Sequence, residues 1–194
     1  MLVKKAMNKV EHILKGGLHI ETNFFDRFTY QAITKKMATS KLIGTYHPKL
    51  TKYANRMQAM PCYQADFTFK KKEIINKIEA LLEIKILKYH CIYRKIKTEE
   101  LKESHCTGSK YGFTHTDEDP EKHIAAIMHF DQSYDGGTAF FENFWDKKPD
   151  IYISAYPNRL IIYNANRLHA PAFDYSYKER NSLAFFFQGQ DASQ

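Results

Sequence analysis

Apolar side chains recur at helical spacing in the first part of the chain. Between residues 68 and 82, isoleucines and leucines fall on one helical face opposite a run of three lysines, which predicts an amphipathic helix. Asp26 is a typical N-cap residue. It predicts a second helix that reaches about Lys36 and carries three apolar side chains on or near one face, namely Phe28, Ile33 and Met37.

From about Ile84 onward, the apolar residues form short runs that turn signals separate, as is typical of β-strands. Asp135-Gly136-Gly137 is a strong turn signal between two of these runs. Several short strands behind two or three helices predict a mostly β protein, with a β-barrel or jelly-roll core and helices against one side. The five runs span residues 86–93, 123–130, 138–141, 160–163 and 183–187.

The chain has no internal repeat, low-complexity tract or flexible linker, so we expect its 194 residues to form a single domain. Within this domain, residues 1–83 are predicted to be a mixed, largely helical buttress. Residues 84–188 are predicted to be the β core that the buttress supports.

Composition and charge narrow the function only slightly. The formal net charge is +7, but the basic residues are not interleaved with aromatic ones. The charge by itself therefore does not favour nucleic acid as a partner. No apolar stretch approaches the roughly 20 residues that cross a bilayer, and early lysines interrupt any signal-peptide core. Cys62, Cys91 and Cys106 form no CxxC pair, which is typical of a reducing compartment and predicts a cytoplasmic location. No sequence feature indicates an oligomeric state.

The strongest local signal for chemistry is His115-Thr116-Asp117. Residues two apart on an extended segment point to the same side, so this imidazole and carboxylate can bind one ion. A second histidine would complete a facial triad of the kind that Fe(II) oxygenases use, with open metal positions opposite the protein ligands. His129-Phe130-Asp131 has the same spacing, but its histidine ends an apolar run and is interpreted as a packed strand residue.

The candidate third ligand is His169, which follows the apolar run at 160–163. Eleven residues later, Arg180 and Ser182 open the last apolar run and share one face of it. A guanidinium and a hydroxyl on the same face are suited to binding a carboxylate. The order of these elements is more specific than any one of them.

The stretch from about Ile84 to Gln188 resembles the 2-oxoglutarate and Fe(II)-dependent oxygenases, in particular their prolyl-hydroxylase-like branch. Four segments in order carry the resemblance: 111–117 (YGFTHTD), 136–141 (GGTAFF), 158–163 (NRLIIY) running on to His169, and 180–182 (RNS).

The resemblance implies a double-stranded β-helix in which His115, Asp117 and His169 bind Fe(II). Arg180, assisted by Ser182, is expected to bind the distal carboxylate of 2-oxoglutarate, which is consumed together with O2. Members of the family often add a tyrosine from an early core strand, and the candidates here are Tyr89, Tyr93 and Tyr111. Related halogenases lack the carboxylate ligand, so Asp117 favours hydroxylation over chlorination.

The substrate has no motif of its own, and an amino acid, a peptide or protein side chain and a small metabolite all stay open. Trp145, after a core strand, is either a substrate contact or a hydrophobic plug. Arg167 is either a contact for an acidic substrate group or a solvent-facing arginine. Two other classes are a cupin-like metalloenzyme that works without 2-oxoglutarate and a non-catalytic binding protein on the same fold. The intact triad and the Arg180–Ser182 pair argue against both.

Overall fold

The computed structural model describes residues 8–44, 62–101, 106–107, 110–117, 123–131 and 134–191, which contain three α-helices and twelve strands. The helices are α1 (Lys9–Leu14), α2 (Arg27–Ala38) and α3 (Lys71–Leu82). The strands are β1 (Leu18–Glu21), β2 (Ile43–Gly44), β3 (Cys62–Asp66), β4 (Ile84–Lys97), β5 (Cys106–Thr107), β6 (Tyr111–Gly112), β7 (Ile124–His129), β8 (Gly137–Phe140), β9 (Ile151–Ser154), β10 (Leu160–Asn164), β11 (His169–Ala172) and β12 (Glu179–Asp191).

These strands form two antiparallel sheets. The larger sheet has the order β1-β10-β7-β12-β4-β3-β2, and the smaller has the order β5-β6-β11-β8-β9. Strands that follow one another along the chain alternate between the sheets from β6 to β11, except that β8 and β9 are neighbours. This arrangement confirms the predicted mostly β fold with a jelly-roll, double-stranded β-helix core.

The helices cover the outer face of the larger sheet. Ile33 and Met37 of α2 and Ile74 and Ile78 of α3 are buried in one apolar cluster with side chains from β4, β7, β10 and β12. The Asp26 carboxylate accepts a hydrogen bond from the backbone N–H of Thr29 at 2.9 Å, so the predicted N-cap is confirmed. Phe28 was predicted to lie on or near the apolar face of this helix together with Ile33 and Met37. That prediction was wrong, because the Phe28 side chain is 82% exposed whereas the other two are buried.

The double glycine connects the two sheets. Gly137 is the first residue of β8, whereas the preceding strand β7 lies in the other sheet, so the predicted turn is a crossing and not a hairpin. A Cβ at Gly137 would lie 2.2 Å from the carbonyl oxygen of Ile153, closer than any side chain can approach. Glycine is therefore required where β8 meets β9.

Strands β1 and β3 come from the predicted buttress, yet both pair into the larger sheet, β1 with β10 and β3 with β4. The buttress therefore contributes sheet as well as helix, and a single domain stays a prediction. No described helix is long and apolar enough to cross a membrane.

Candidate active site

His115, Asp117 and His169 lie together where the two sheets meet. The backbones of His115 and His169 exchange two N–H···O hydrogen bonds of 2.9 Å, and the N–H of Asp117 donates to Ala165 at the same distance. Because these bonds join residues 115–117 to residues 165–169, the side chains converge. The carboxylate lies 3.2 Å from Nε2 of His169 and 3.9 Å from Nε2 of His115. Their potential ligand atoms all lie within 4.8 Å of one another, and no other such cluster occurs among the described residues.

Both imidazoles are oriented for metal binding. Nδ1 of His115 lies 2.9 Å from the carbonyl oxygen of Phe113, and Nδ1 of His169 lies 2.9 Å from that of Arg167. A carbonyl only accepts, so each Nδ1 carries a proton, and each Nε2 faces the cluster. Nε2 of His115 is buried without a hydrogen-bond partner in the described structure, as a ligand atom would be in the absence of its ion.

The ionisation states of the cluster also suit a cation. Burial lowers the pKa of His115 to about 3, and the neighbouring His169 adds to the shift. Burial opposes ionisation of Asp117, but His169, His115 and Arg94 outweigh it and hold the pKa of that carboxyl below its ordinary value. His115 is therefore neutral and Asp117 is charged near pH 7, as metal ligands must be.

Tyr163 is a member of the site that the sequence did not predict. Its hydroxyl donates to Oδ2 of Asp117 at 2.9 Å and lies 3.3 Å from Nε2 of His169. Burial, together with the charge of Asp117, raises the pKa of Tyr163 far above its ordinary value, so the hydroxyl stays protonated. This tyrosine holds the carboxylate in place next to both histidines.

A cavity extends from the two histidines to Arg180. The Arg180 side chain is 3% exposed; its Nη1 lies 3.5 Å from Oγ of Ser182, and its Nη2 donates to the carbonyl oxygen of Gly137 at 3.4 Å. Both contacts are long, and Nε of Arg180 has no partner among the described residues. The cavity is lined by Arg94, Ile96, His115, Ile127, Thr138, Tyr163, His169, Pro171, Arg180, Ser182 and Ala184.

The second HxD sequence supports the position of Arg180. Asp131 accepts from the backbone N–H of Asn181 at 2.6 Å and from its side-chain amide at 2.8 Å, and Tyr93 donates to Oδ1 of Asn181 at 2.7 Å. These bonds fix the start of β12 next to Arg180. His129 is fully buried, lies 3.3 Å from Oγ1 of Thr138, and is not part of the metal-ligand cluster.

Several solved structures are similar to this architecture. The chain superposes on a prolyl-4-hydroxylase from Pseudomonas putida with a TM-score of 0.60 and 13% identity, over 92% of this chain and 96% of that one. A 2OG-Fe(II) oxygenase family oxidoreductase from Burkholderia pseudomallei gives 0.60 and 10%, over 97% and 93%. A Trichoplax adhaerens prolyl hydroxylase in complex with a hypoxia inducible factor peptide gives 0.59 and 12%, over 92% and 86%.

The chain has the fold of the 2-oxoglutarate–Fe(II) oxygenases. A further neighbour with this fold, at a TM-score of 0.60 and 11% identity, is the non-heme alpha ketoglutarate dependent epimerase SnoN from nogalamycin biosynthesis, over 92% of this chain and 82% of that one. No protein-family model matches the sequence, and no curated protein matches it.

Within this oxygenase fold, none of the three candidate tyrosines lines the cavity. Tyr89 and Tyr93 pack in the apolar cluster between the helices and the larger sheet, because the odd-numbered residues in this part of β4 face the helices. The residues of β4 that line the cavity are Arg94 and Ile96. Tyr111 packs edge-on against Phe141, with ring centroids 5.8 Å apart.

The two candidate substrate residues also lie outside the cavity lining. The Arg167 guanidinium donates to the carbonyl oxygen of Gly16 and lies 5.2 Å from the ring centroid of Phe140. Trp145 is 78% exposed and packs edge-on against Phe144 at 5.0 Å. The structure therefore brings together the triad, Arg180 and Ser182, and adds Tyr163 and Arg94 to them.

Proposed function

We propose that the protein is an Fe(II)- and 2-oxoglutarate-dependent dioxygenase that hydroxylates a C–H bond of an amino acid, a peptide or protein side chain, or a small metabolite, releasing succinate and CO2. One observation carries the proposal: the two histidines of the His-Asp-His cluster and the buried Arg180 line the same cavity. The printed descriptions of the structural neighbours are consistent with it, since they include an epimerase structure with Fe3+ and alpha ketoglutarate.

The residues present fit Fe(II). Two imidazoles and one carboxylate form the ligand set that non-haem iron oxygenases use, and it leaves metal positions open. In the proposal, His115, Asp117 and His169 bind the ion, while Tyr163 orients the carboxylate. When bound, iron supplies O2 activation, and the protein holds and orients the reactants.

Arg180 fits a carboxylate of 2-oxoglutarate. A buried charge without a close partner costs several kcal/mol, which an anionic ligand offsets. Besides Arg180, the wall of the cavity offers the hydroxyls of Ser182 and Thr138 as further donors. In the proposal, these groups bind the distal carboxylate and thereby direct the 2-oxo acid end towards the metal.

The protein is also proposed to act in a reducing compartment, the cytoplasm, because its three cysteines form no CxxC pair. Cys91 is buried, and burial raises the pKa of its thiol to about 12, so the thiol is unreactive there. The proposed unit is one domain, since helices and strands from residues 8–83 share an apolar cluster with the core strands.

Anaerobic titration tests the proposal. Fe(II) and 2-oxoglutarate added together should give the weak visible charge-transfer band of the chelated complex, and succinate should form once O2 is admitted. His169→Ala should lose the band, whereas Arg27→Gln, an exposed arginine on α2, should retain it. If Fe(II) binds to wild-type protein without a band, the cupin-like alternative replaces the proposal. If no metal binds, the non-catalytic alternative does.

A further inference from the structure

Arg94 is a second guanidinium at the cavity. It lies in the second half of β4, opposite Ser182 of β12 in the sheet, and its side chain lines the same cavity as His115 and His169. Its sequence context, between Tyr93 and Lys95 in a strand rich in lysines, resembles a surface charge. The structure places it on the inner face of the strand instead.

Arg94 is held by an aromatic ring and not by an acid. Its guanidinium carbon lies 5.6 Å from the ring centroid of Phe186, and its Nε is buried without a hydrogen-bond partner. No ion pair joins it to a carboxylate in the described part of the chain. The stacking positions the guanidinium fork but leaves its hydrogen-bond donors to a ligand.

The two arginines differ in access. Arg180 is 3% exposed and contacts Ser182 and Gly137, so it lies at the closed end of the cavity. Arg94 is half-buried and can be reached from outside. A ligand that enters from solvent can therefore reach Arg94 more readily than Arg180.

The nearby carboxylates indicate what Arg94 binds. Asp131 acts on Arg180, and Asp117 belongs to the metal-ligand cluster, so neither carboxylate forms an ion pair with Arg94. Arg94 therefore keeps its positive charge without an ion-pair partner among the described residues, in a partly dry cavity. Such a charge is costly unless an anion accompanies it.

We propose that Arg94 binds an oxyanion of the substrate, a carboxylate or a phosphate, and thereby determines specificity for anionic substrates. This inference rests on the proposed function. The planar guanidinium fork matches both groups in two-point geometry. Since Arg94 shares the cavity with both histidines, the bond that is oxidised lies a short distance from the anionic group.

The test follows the Nε–H signals of arginine by NMR in protein with 15N-labelled arginine, loaded with Zn(II) as a diamagnetic substitute for iron. Arg94→Lys, which lacks an Nε–H, assigns the Arg94 signal, and Arg180→Lys assigns the other. Saturation with 2-oxoglutarate should shift the Arg180 signal. Inorganic phosphate added next should shift the Arg94 signal saturably in the millimolar range, while the signal of exposed Arg27 stays in place.

Binding of phosphate measured by calorimetry gives a second readout. Arg94→Gln should weaken it at least tenfold, Arg94→Lys should weaken it less because the charge is kept, and Arg27→Gln should not change it. Equal affinity in wild-type protein and Arg94→Gln overturns the inference. It is also overturned if 2-oxoglutarate alone shifts both arginine signals and phosphate then shifts neither, since Arg94 would belong to the cosubstrate site.

Failure of the proposed function gives a different result. In that case 2-oxoglutarate leaves the Arg180 signal unchanged with and without metal. Phosphate titrated into the metal-free protein still reports whether Arg94 binds an oxyanion, because this readout needs neither metal nor cosubstrate. The two proposals therefore fail separately.

Discussion

Strands β4 and β12 are neighbours in the larger sheet, and each presents one face to the helices and the other to the cavity. On the helix side, Cys91 and Tyr93 of β4 lie opposite Phe185 and Leu183 of β12, in an apolar cluster. On the cavity side, Arg94 lies opposite Ser182, and the next inner pair adds Arg180. Successive side chains of a strand point to opposite faces. The same two strands therefore supply apolar residues that stabilise the fold on one face and polar residues that line the candidate site on the other.

The largest effect is expected on the helix side. Phe185 is fully buried in the apolar cluster, so Phe185→Ala should lower the free energy of unfolding by about 3–5 kcal/mol through lost burial and a residual cavity. Chemical denaturation with urea measures this change. Phe28→Ala, at an exposed position, is the matched control and should change stability by less than about 0.5 kcal/mol. Similar losses for both variants would contradict the assignment of faces.

A substitution on the cavity side should weaken ligand binding without lowering stability. Arg180→Gln removes the charge that is proposed to bind 2-oxoglutarate, and we expect the affinity for 2-oxoglutarate to fall by about 2–3 kcal/mol, roughly 30- to 150-fold. Stability of the metal-free protein should hold or rise, because a buried charge with only long contacts is removed. Calorimetric titration and urea denaturation of the same variant test both statements. A loss of stability with unchanged affinity would make Arg180 a structural residue.

Tyr163→Phe should act more weakly on the same side. The substitution removes the hydroxyl that donates to Asp117 but keeps the ring that packs against Phe140 with centroids 5.2 Å apart. Loss of a bond that orients a metal ligand typically costs 10- to 100-fold in metal affinity. Competition with a chelator measures it, and Tyr111→Phe, outside the cavity, should behave as wild type. An unchanged affinity in Tyr163→Phe would mean that Asp117 needs no such support.

The same comparison shows where sequence reasoning worked and where it failed. His115, Asp117, His169 and Arg180 were predicted as a set, because residue types that bind metal and carboxylate occur in a specific order, and the structure brings them together. The face of a strand was harder to predict. In β4, both faces carry lysine or arginine beside apolar residues, so polarity does not fix the register, and a shift by one residue exchanges the faces.

Tyr163 was missed for a related reason. It ends an apolar run, residues 160–163, that is buried on both faces, and such a run shows no alternation from which an inner side can be predicted. Strand β9 and most of the short strands of the smaller sheet were also missed, since two to four residues are too few to show a period.

The smallest expected effect is a pH dependence of stability that comes from His129, the histidine of the second HxD sequence. Burial, together with the charge of Arg180, holds the pKa of His129 well below its ordinary value of 6.5. Below pH 6.5 the unfolded chain takes up a proton at this histidine and the folded protein does not. The stability that neutral His129 provides is therefore full above pH 6.5 and decreases as the pH falls below it, by about 1 kcal/mol between pH 6.5 and 5.5. Urea denaturation of metal-free protein at the two values, compared with His129→Gln, measures this contribution. The variant should lose about 1 kcal/mol less than wild type over the interval, and an identical loss would mean that His129 is protonated in the folded protein.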